Sequence, residues 1–219
     1  MVWIPVLLVS FIFFAYDVWV TRKNGGFLSR QGLTGYEIAR HVLDASGLSQ
    51  ITVDAIGPGD KEIRRGIRQL YLEKKIYEGK NLRAMALAAR EAVFLIGVPH
   101  SFLPLDLKKR AAELSAYAVL GGWLMFAAGF GIGRLSFLRM GSLAVFVSVF
   151  LMAALSLPAE LEASERALDH LKGSRYFEVG ELARLRSLLN ALRFSGLAQI
   201  FNVPLEFASG LRRKRFHGL

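Results

Sequence analysis

The sequence predicts a predominantly α-helical integral membrane protein with three transmembrane helices, a fourth segment of open depth, and a small cytoplasmic α+β region. Three observations predict it. Of 219 residues 53% are apolar and the mean hydropathy is +0.36, yet the apolar residues fall in blocks instead of being spread as in a soluble domain. Three of these blocks are long enough to cross a bilayer. The intervening chain is basic, with 28 Lys/Arg against 18 Asp/Glu, and its charge is distributed as the positive-inside tendency requires. Such apolar content excludes a disordered chain, and the absence of cysteine excludes a disulfide-stapled secreted domain and Cys-ligated zinc or iron–sulfur centres.

Val2–Val20 (VWIPVLLVSFIFFAYDVWV) is a run of 19 with one charge, Asp17, near its end. As a helix it rises about 28 Å, the thickness of a hydrocarbon core. No basic stretch precedes it and no small-x-small site follows it, whereas Thr21-Arg22-Lys23 does; it reads as an uncleaved anchor with the N-terminus outside. Leu114–Leu135 and Phe137–Leu157 form a hairpin of two further spans. On the first of them Ala118 and Gly122 stand four apart, as do Gly129 and Gly133, a small-residue face that lets another helix, of this chain or of a partner, approach closely. The GFGIG run at 129–133 has no strand before it and is no dinucleotide loop.

Leu185–Leu211 is apolar but interrupted by Asn190, Arg193, Asn202, Pro204 and Glu206. Sixteen of the 28 Lys/Arg lie in residues 21–112 and five in 158–186, while only Arg134 and Arg139 flank the hairpin turn. Three crossings put the first two groups in the cytoplasm. A fourth would carry Arg212, Arg213, Lys214 and Arg215 outside, against the positive-inside tendency. The segment is therefore expected to be re-entrant or non-spanning, with those four residues at anionic lipid headgroups; a distorted fourth span is the alternative. Four regions follow: an anchor at 1–20, a cytoplasmic region at 21–112, a membrane hairpin at 113–157, and a helix, ambiguous segment and basic tail at 158–219.

Within 21–112, Thr34-Gly35-Tyr36-Glu37 is a capping box, and Ile38, Val42 and Leu43 share one face before Gly47, so 35–46 reads as an amphipathic helix. Ile51–Ile56 (ITVDAI) alternates like a strand and Gly57-Pro58-Gly59 ends it. Lys61–Glu73 has Ile63, Ile67, Leu70 and Tyr71 at helical spacing, with a strand as the alternative for its second half. Leu82–Ile96 (LRAMALAAREAVFLI) is built of strong helix formers, with Arg90 and Glu91 in the middle of a nearly apolar helix.

Three stretches, GLTGYEIARHVLDASGL (32–48), IYEGKNLRAMALAAREAVFL (76–95) and SLPAELEASERALDHL (156–171), stand in that order around the spans. In these the sequence resembles a bacterial family of membrane zinc metallopeptidases, the YugP-like neutral zinc peptidases. The family patterns are G-x-T/S-G-x-E-x-A-x-x-x-L, then V-Y-x-G-x-S-x-A-A-x-A-V-A-A-H-E-x-G-H, then L-P-x-E-F-D-A-S-x-R-A. The resemblance covers nearly the whole chain and implies a zincin-like cytoplasmic region. Its chemistry rests on H-E-x-x-H, two histidines four apart that both reach a zinc while the Glu acts as general base. The corresponding residues here are Arg90, Glu91, Ala92, Val93 and Phe94. A guanidinium keeps its proton and a phenyl ring has no lone pair, so neither ligates a metal. The resemblance assigns Glu160 as the third ligand, and it is retained, but one carboxylate does not make a catalytic zinc site. Where relatives carry D-H-Y-D-P this chain reads DKEIRRGIRQL.

His41, His100, His170 and His217 include no pair at i, i+3 or i+4. There is also no Cys nucleophile, G-x-S-x-G elbow or phosphate loop. An unpaired buried charge is costly, so Arg90 is expected to stand where the metal would be and to pair with Glu160, with Glu162 or Glu165 as the alternative, and Phe94 to fill the second imidazole's volume. The resulting expectation is a catalytically inactive relative that needs no cofactor and serves as a scaffold or accessory subunit in a bacterial inner-membrane assembly. The alternative is a hydrolase with a rebuilt site. Partners are membrane lipids and other membrane subunits; Arg64, Arg65 and Arg68 lack interleaved aromatic platforms, which argues against nucleic acid.

Overall fold

A computed structural model describes residues 3–56, 69–97, 105–131 and 136–216. In order these form α1 (Trp3–Asn24), α2 (Gly35–Ala45), β1 (Thr52–Ile56), β2 (Gln69–Glu73), α3 (Lys74–Tyr77), α4 (Leu82–Ile96), α5 (Leu105–Gly131), α6 (Ser136–Gly173), α7 (Val179–Arg193) and α8 (Gln199–Phe216). The chain divides into two compact units. One holds Met1–Asp17, Phe102–Leu157 and Phe194–Leu219, the other Val18–Ser101 and Pro158–Arg193.

In the second unit α2 begins as its capping box requires. The Thr34 hydroxyl accepts from the Glu37 amide at 3.3 Å and the Glu37 carboxylate accepts from the Thr34 amide at 2.6 Å. Gly47, at φ +73°, ends it: Leu48 N donates to Leu43 O and Gly47 N to Asp44 O, the paired closing bonds of a Schellman motif. Ile38, Ala39, Val42 and Leu43 are buried on the face the sequence marked. They pack on α4, whose start is capped by Asn81 Oδ1 accepting from Ala84 N at 2.8 Å. Gly35 has to be glycine, because a Cβ there would drive into the Ile76 carbonyl.

β1 and β2 pair in parallel, Thr52 opposite Gln69 through Ile56 opposite Glu73. The helical spacing read over Lys61–Glu73 is therefore corrected at its second half. Gln69–Glu73 is a strand with Leu70 and Leu72 buried and Gln69, Tyr71 and Glu73 turned away, a period of two. Residues 61–68 lie outside the described residues, as do Gly57-Pro58-Gly59, His100 and His217.

The first unit centres on Val119, Phe146, Val149 and Ile200, with Trp123, Phe126 and Phe201 packed around them. Gly122 of α5 lies against α6, where a Cβ would stand 2.8 Å from Phe146 Cε1, and at Gly129 a Cβ would meet the Arg139 side chain at 2.7 Å. Ala118 also packs on this core, so the small-residue face is occupied within the chain; Gly133 is outside the described residues. The long apolar block at 185–211 is not one helix. It breaks at Phe194–Ala198 into α7 and α8. The start of α8 is fixed by Trp123 Nε1 donating to Ile200 O at 2.9 Å and Gln199 Nε2 donating to Ser115 Oγ at 2.6 Å. Arg212, Arg213, Lys214 and Arg215 fall in α8 by their backbone, and their side chains lie outside the described set.

Three helices among the described residues, α1, α5 and α6, are long and apolar enough to cross a membrane. Leu8, Phe11, Leu124, Leu151 and Leu155 stand exposed on them. In water that surface would be a large liability; in lipid it is solvated. The chain is a membrane protein. The 38 residues of α6 rise about 57 Å, nearly twice a hydrocarbon core of about 30 Å. Its polar half, from Pro158 onward, belongs to the second unit.

Candidate functional site

Three helices of the second unit converge on Arg90: α4, which carries it, the polar half of α6, and the C-terminal end of α7. A central position in α4 makes its side chain 11% exposed. Nη1 donates to the Leu192 carbonyl at 2.9 Å and lies 3.5 Å from Glu160 Oε2, whose side chain is 16% exposed. Nη2 is 3.6 Å from Glu91 Oε1. The buried Phe94 ring, one turn along α4, has its centroid 5.9 Å from the guanidinium carbon. The structure thus brings Arg90, Glu91, Phe94 and Glu160 together.

Glu162 and Glu165, the other acids read as candidate partners, are engaged elsewhere. Arg166 Nη2 is 2.6 Å from Glu162 Oε1, and Arg193 Nη2 is 3.5 Å from Glu165 Oε1. Arg166 also donates to the carbonyl of Gly97 at the end of α4, at 3.4 Å. Successive turns of α6 therefore present acids to arginines of α4, α6 and α7. The Leu192 contact was invisible in the sequence, because a backbone carbonyl carries no residue signature. One signal was available for the Arg193–Glu165 pair: Arg193 interrupts an apolar block, and such a charge needs a partner.

This donor set does not fit the zinc that the H-E-x-x-H resemblance implies. Arg90 and Phe94 have no lone pair to give, which leaves the Glu91 and Glu160 carboxylates where a catalytic zinc takes three protein ligands. The guanidinium already lies between them. Among the described residues no three His, Cys, Asp or Glu side chains are grouped to hold a metal.

Two histidines that the sequence left unrelated do meet. His41 of α2 and His170 of α6 line one cavity of about 470 Å³ with Arg166 and Asp169, and the His41 ring stands edge-on to Tyr176 at 5.1 Å. Burial, together with the nearby His41, holds His170 below the ordinary imidazole range.

Fold and site define a mostly helical membrane protein whose extramembrane unit is organised around a helix of the zinc-peptidase pattern. The chain belongs to the family described as "Putative neutral zinc metallopeptidase", whose profile matches residues 1–208. It is 25% identical over 168 residues, 76% of this chain and 74% of the relative, to a Bacillus subtilis (strain 168) protein named "Putative membrane protease YugP". No solved structure matches the chain.

Proposed function

We propose that this chain is a catalytically inactive member of its family, a scaffold or accessory subunit of a larger assembly in the bacterial inner membrane. Its N-terminus is outside and residues 21–112 are cytoplasmic. The observation that carries the reading is the position of Arg90. A permanent cation stands 3.5 Å from the carboxylate assigned as third metal ligand and 3.6 Å from the carboxylate assigned as general base. Without the metal, nothing lowers the pKa of water toward neutrality and Glu91 has no activated nucleophile to generate. The fold meanwhile keeps a well-capped core, as a scaffold requires. Because the small-residue face of α5 is taken up by α6, partner subunits would meet other surfaces of the spans. Membrane lipids are the remaining partner, including headgroups at Arg212–Arg215, and nucleic acid is not one.

The test is metal analysis and peptidase assay of the full chain purified in mild detergent, with identification of co-purifying subunits. Zinc bound stoichiometrically and lost in Glu160→Gln or Glu91→Gln would sink the inactive reading; a lone monomer in every mild extraction would sink the subunit role. The alternative of a rebuilt hydrolytic site would have to draw on the cavity lined by His41, His170 and Asp169, although among the described residues no three such side chains are grouped to hold a metal. Zinc that survives both Glu substitutions but disappears in His41→Ala/His170→Ala would move the assignment there.

A further inference from the structure

We propose that the strap joining α1 to α2, with the first residue of α7, is a surface anchor that seats the second unit on anionic lipid. The membrane boundary passes through this unit at the end of α1, where Trp19 is exposed and Lys23 Nζ lies 4.9 Å from its ring centroid, an interfacial aromatic and cation together. Leu28 comes four residues after Asn24, within about 14 Å of the helix end even if fully extended. At that point the chain exposes apolar side chains: Phe27 is 47% exposed, Leu28 71% and, between Glu178 and Gly180 of the same surface cavity, Val179 85%.

These tips are held on a fixed platform. Leu82 N donates to Phe27 O at 2.9 Å and Ser29 N donates to Lys80 O at 3.1 Å, while Arg184 stacks its guanidinium 3.4 Å from the Phe27 ring centroid. Further cationic residues lie close to the strap in the chain and in the fold. Lys80 adjoins Ser29, a Cβ on Gly25 would sit 3.4 Å from the Arg83 Cβ, and Arg22 and Lys23 stand in the last turn of α1, just before the strap. The two local acids are spoken for: Glu178 by the Arg30 side chain and Glu181 by the backbone amides of Arg30 and Glu178. Exposed apolar tips beside several cationic residues match the chemistry of an anionic headgroup layer, with the tips setting depth and the cations setting lipid preference. A protein partner would more naturally meet a patch whose charges alternate.

The chain has no cysteine, so Leu28→Cys and Val179→Cys each accept a single environment-sensitive fluorophore. Gln50→Cys, in the exposed turn before β1 of the same unit, is the reference. The full chain is reconstituted in phosphatidylcholine vesicles with or without phosphatidylglycerol and challenged with spin-labelled lipid and with aqueous iodide. Lipid quenching at positions 28 and 179 should exceed that at 50 by about twofold or more, and the excess should shrink when phosphatidylglycerol is left out. Quenching equal to that at Gln50, or an excess indifferent to lipid charge, would overturn the anchor. Labels shielded from both lipid and iodide would also overturn it, since a protein would then cover the patch.

Discussion

Replacing Arg90 by Met tests whether the guanidinium holds the three helices together. The substitution keeps much of the side-chain length and removes the charge. It deletes the hydrogen bond to Leu192 O at 2.9 Å and the cation 3.5 Å from Glu160. Breaking a buried ion pair by removing one partner costs about 3–5 kcal/mol. The contact to Glu160 is an ion pair longer than a hydrogen bond, and both side chains keep some exposure, so the lower end applies. At about 2–4 °C per kcal/mol for a chain of this size, a loss of about 3 kcal/mol lowers Tm by about 6–12 °C. Pairing it with Glu160→Met should restore most of that, since an apolar pair of similar volume substitutes for a buried ion pair at little net cost. The assay is thermal unfolding of the full chain in detergent, followed by near-ultraviolet circular dichroism for the wild type, both single variants and the double variant. An Arg90→Met shift below about 2 °C, or a double variant less stable than either single one, would refute the reasoning.

Further outcomes test other steps. Arg90→His with Phe94→His recreates two imidazoles four residues apart on α4 beside Glu91 and Glu160, and should bind one zinc measurable by elemental analysis; failure would mean that the backbone no longer presents a zinc geometry. Gly35→Ala sets a Cβ against the Ile76 carbonyl and should cost about 2 kcal/mol or more, read as a lowered Tm. Gly122→Leu overpacks the hairpin where a Cβ would already stand 2.8 Å from Phe146 Cε1, and should lower Tm by several degrees at about 1–3 kcal/mol. Thr34→Ala removes the cap of α2 at about 1 kcal/mol, and an unchanged Tm would mean that Glu37 and the packing of α2 hold that end unaided.

What could be read in advance was set by local physics. The spans follow from runs of apolar residues, α2 from Thr34, Glu37 and Gly47, and β1 from alternation in ITVDAI. β2 was the weaker reading because Ile63, Ile67, Leu70 and Tyr71 satisfy a helical period by composition, while the strand is selected by pairing with β1, a non-local interaction. The break of 185–211 at Phe194–Ala198 was obscured by continuous hydrophobicity: α7 is buried against α4 and α8 against α5, two different environments that need similar residues. At the site, Arg90 announced itself as a charge in an apolar helix. That it would donate to Leu192 O, or that His41 and His170 would share a cavity across 129 positions, depends on how α2, α4, α6 and α7 pack, and no local pattern encodes it.

The choice of arginine at position 90 carries an argument of its own under the proposed reading. An apolar residue there would leave the largely buried Glu160 carboxylate without the α4 guanidinium that now lies 3.5 Å from it, at a cost in desolvation. A lysine would supply the charge, but a buried ammonium titrates, and at raised pH or high metal concentration it can yield its place. Arginine does neither, because a guanidinium keeps its proton in proteins and its fork can serve a carboxylate and a carbonyl at once. Metal added at any accessible pH should therefore fail to displace it. The carboxylate of Glu160 is thus faced by a cation in a form that metal and proton levels do not reverse.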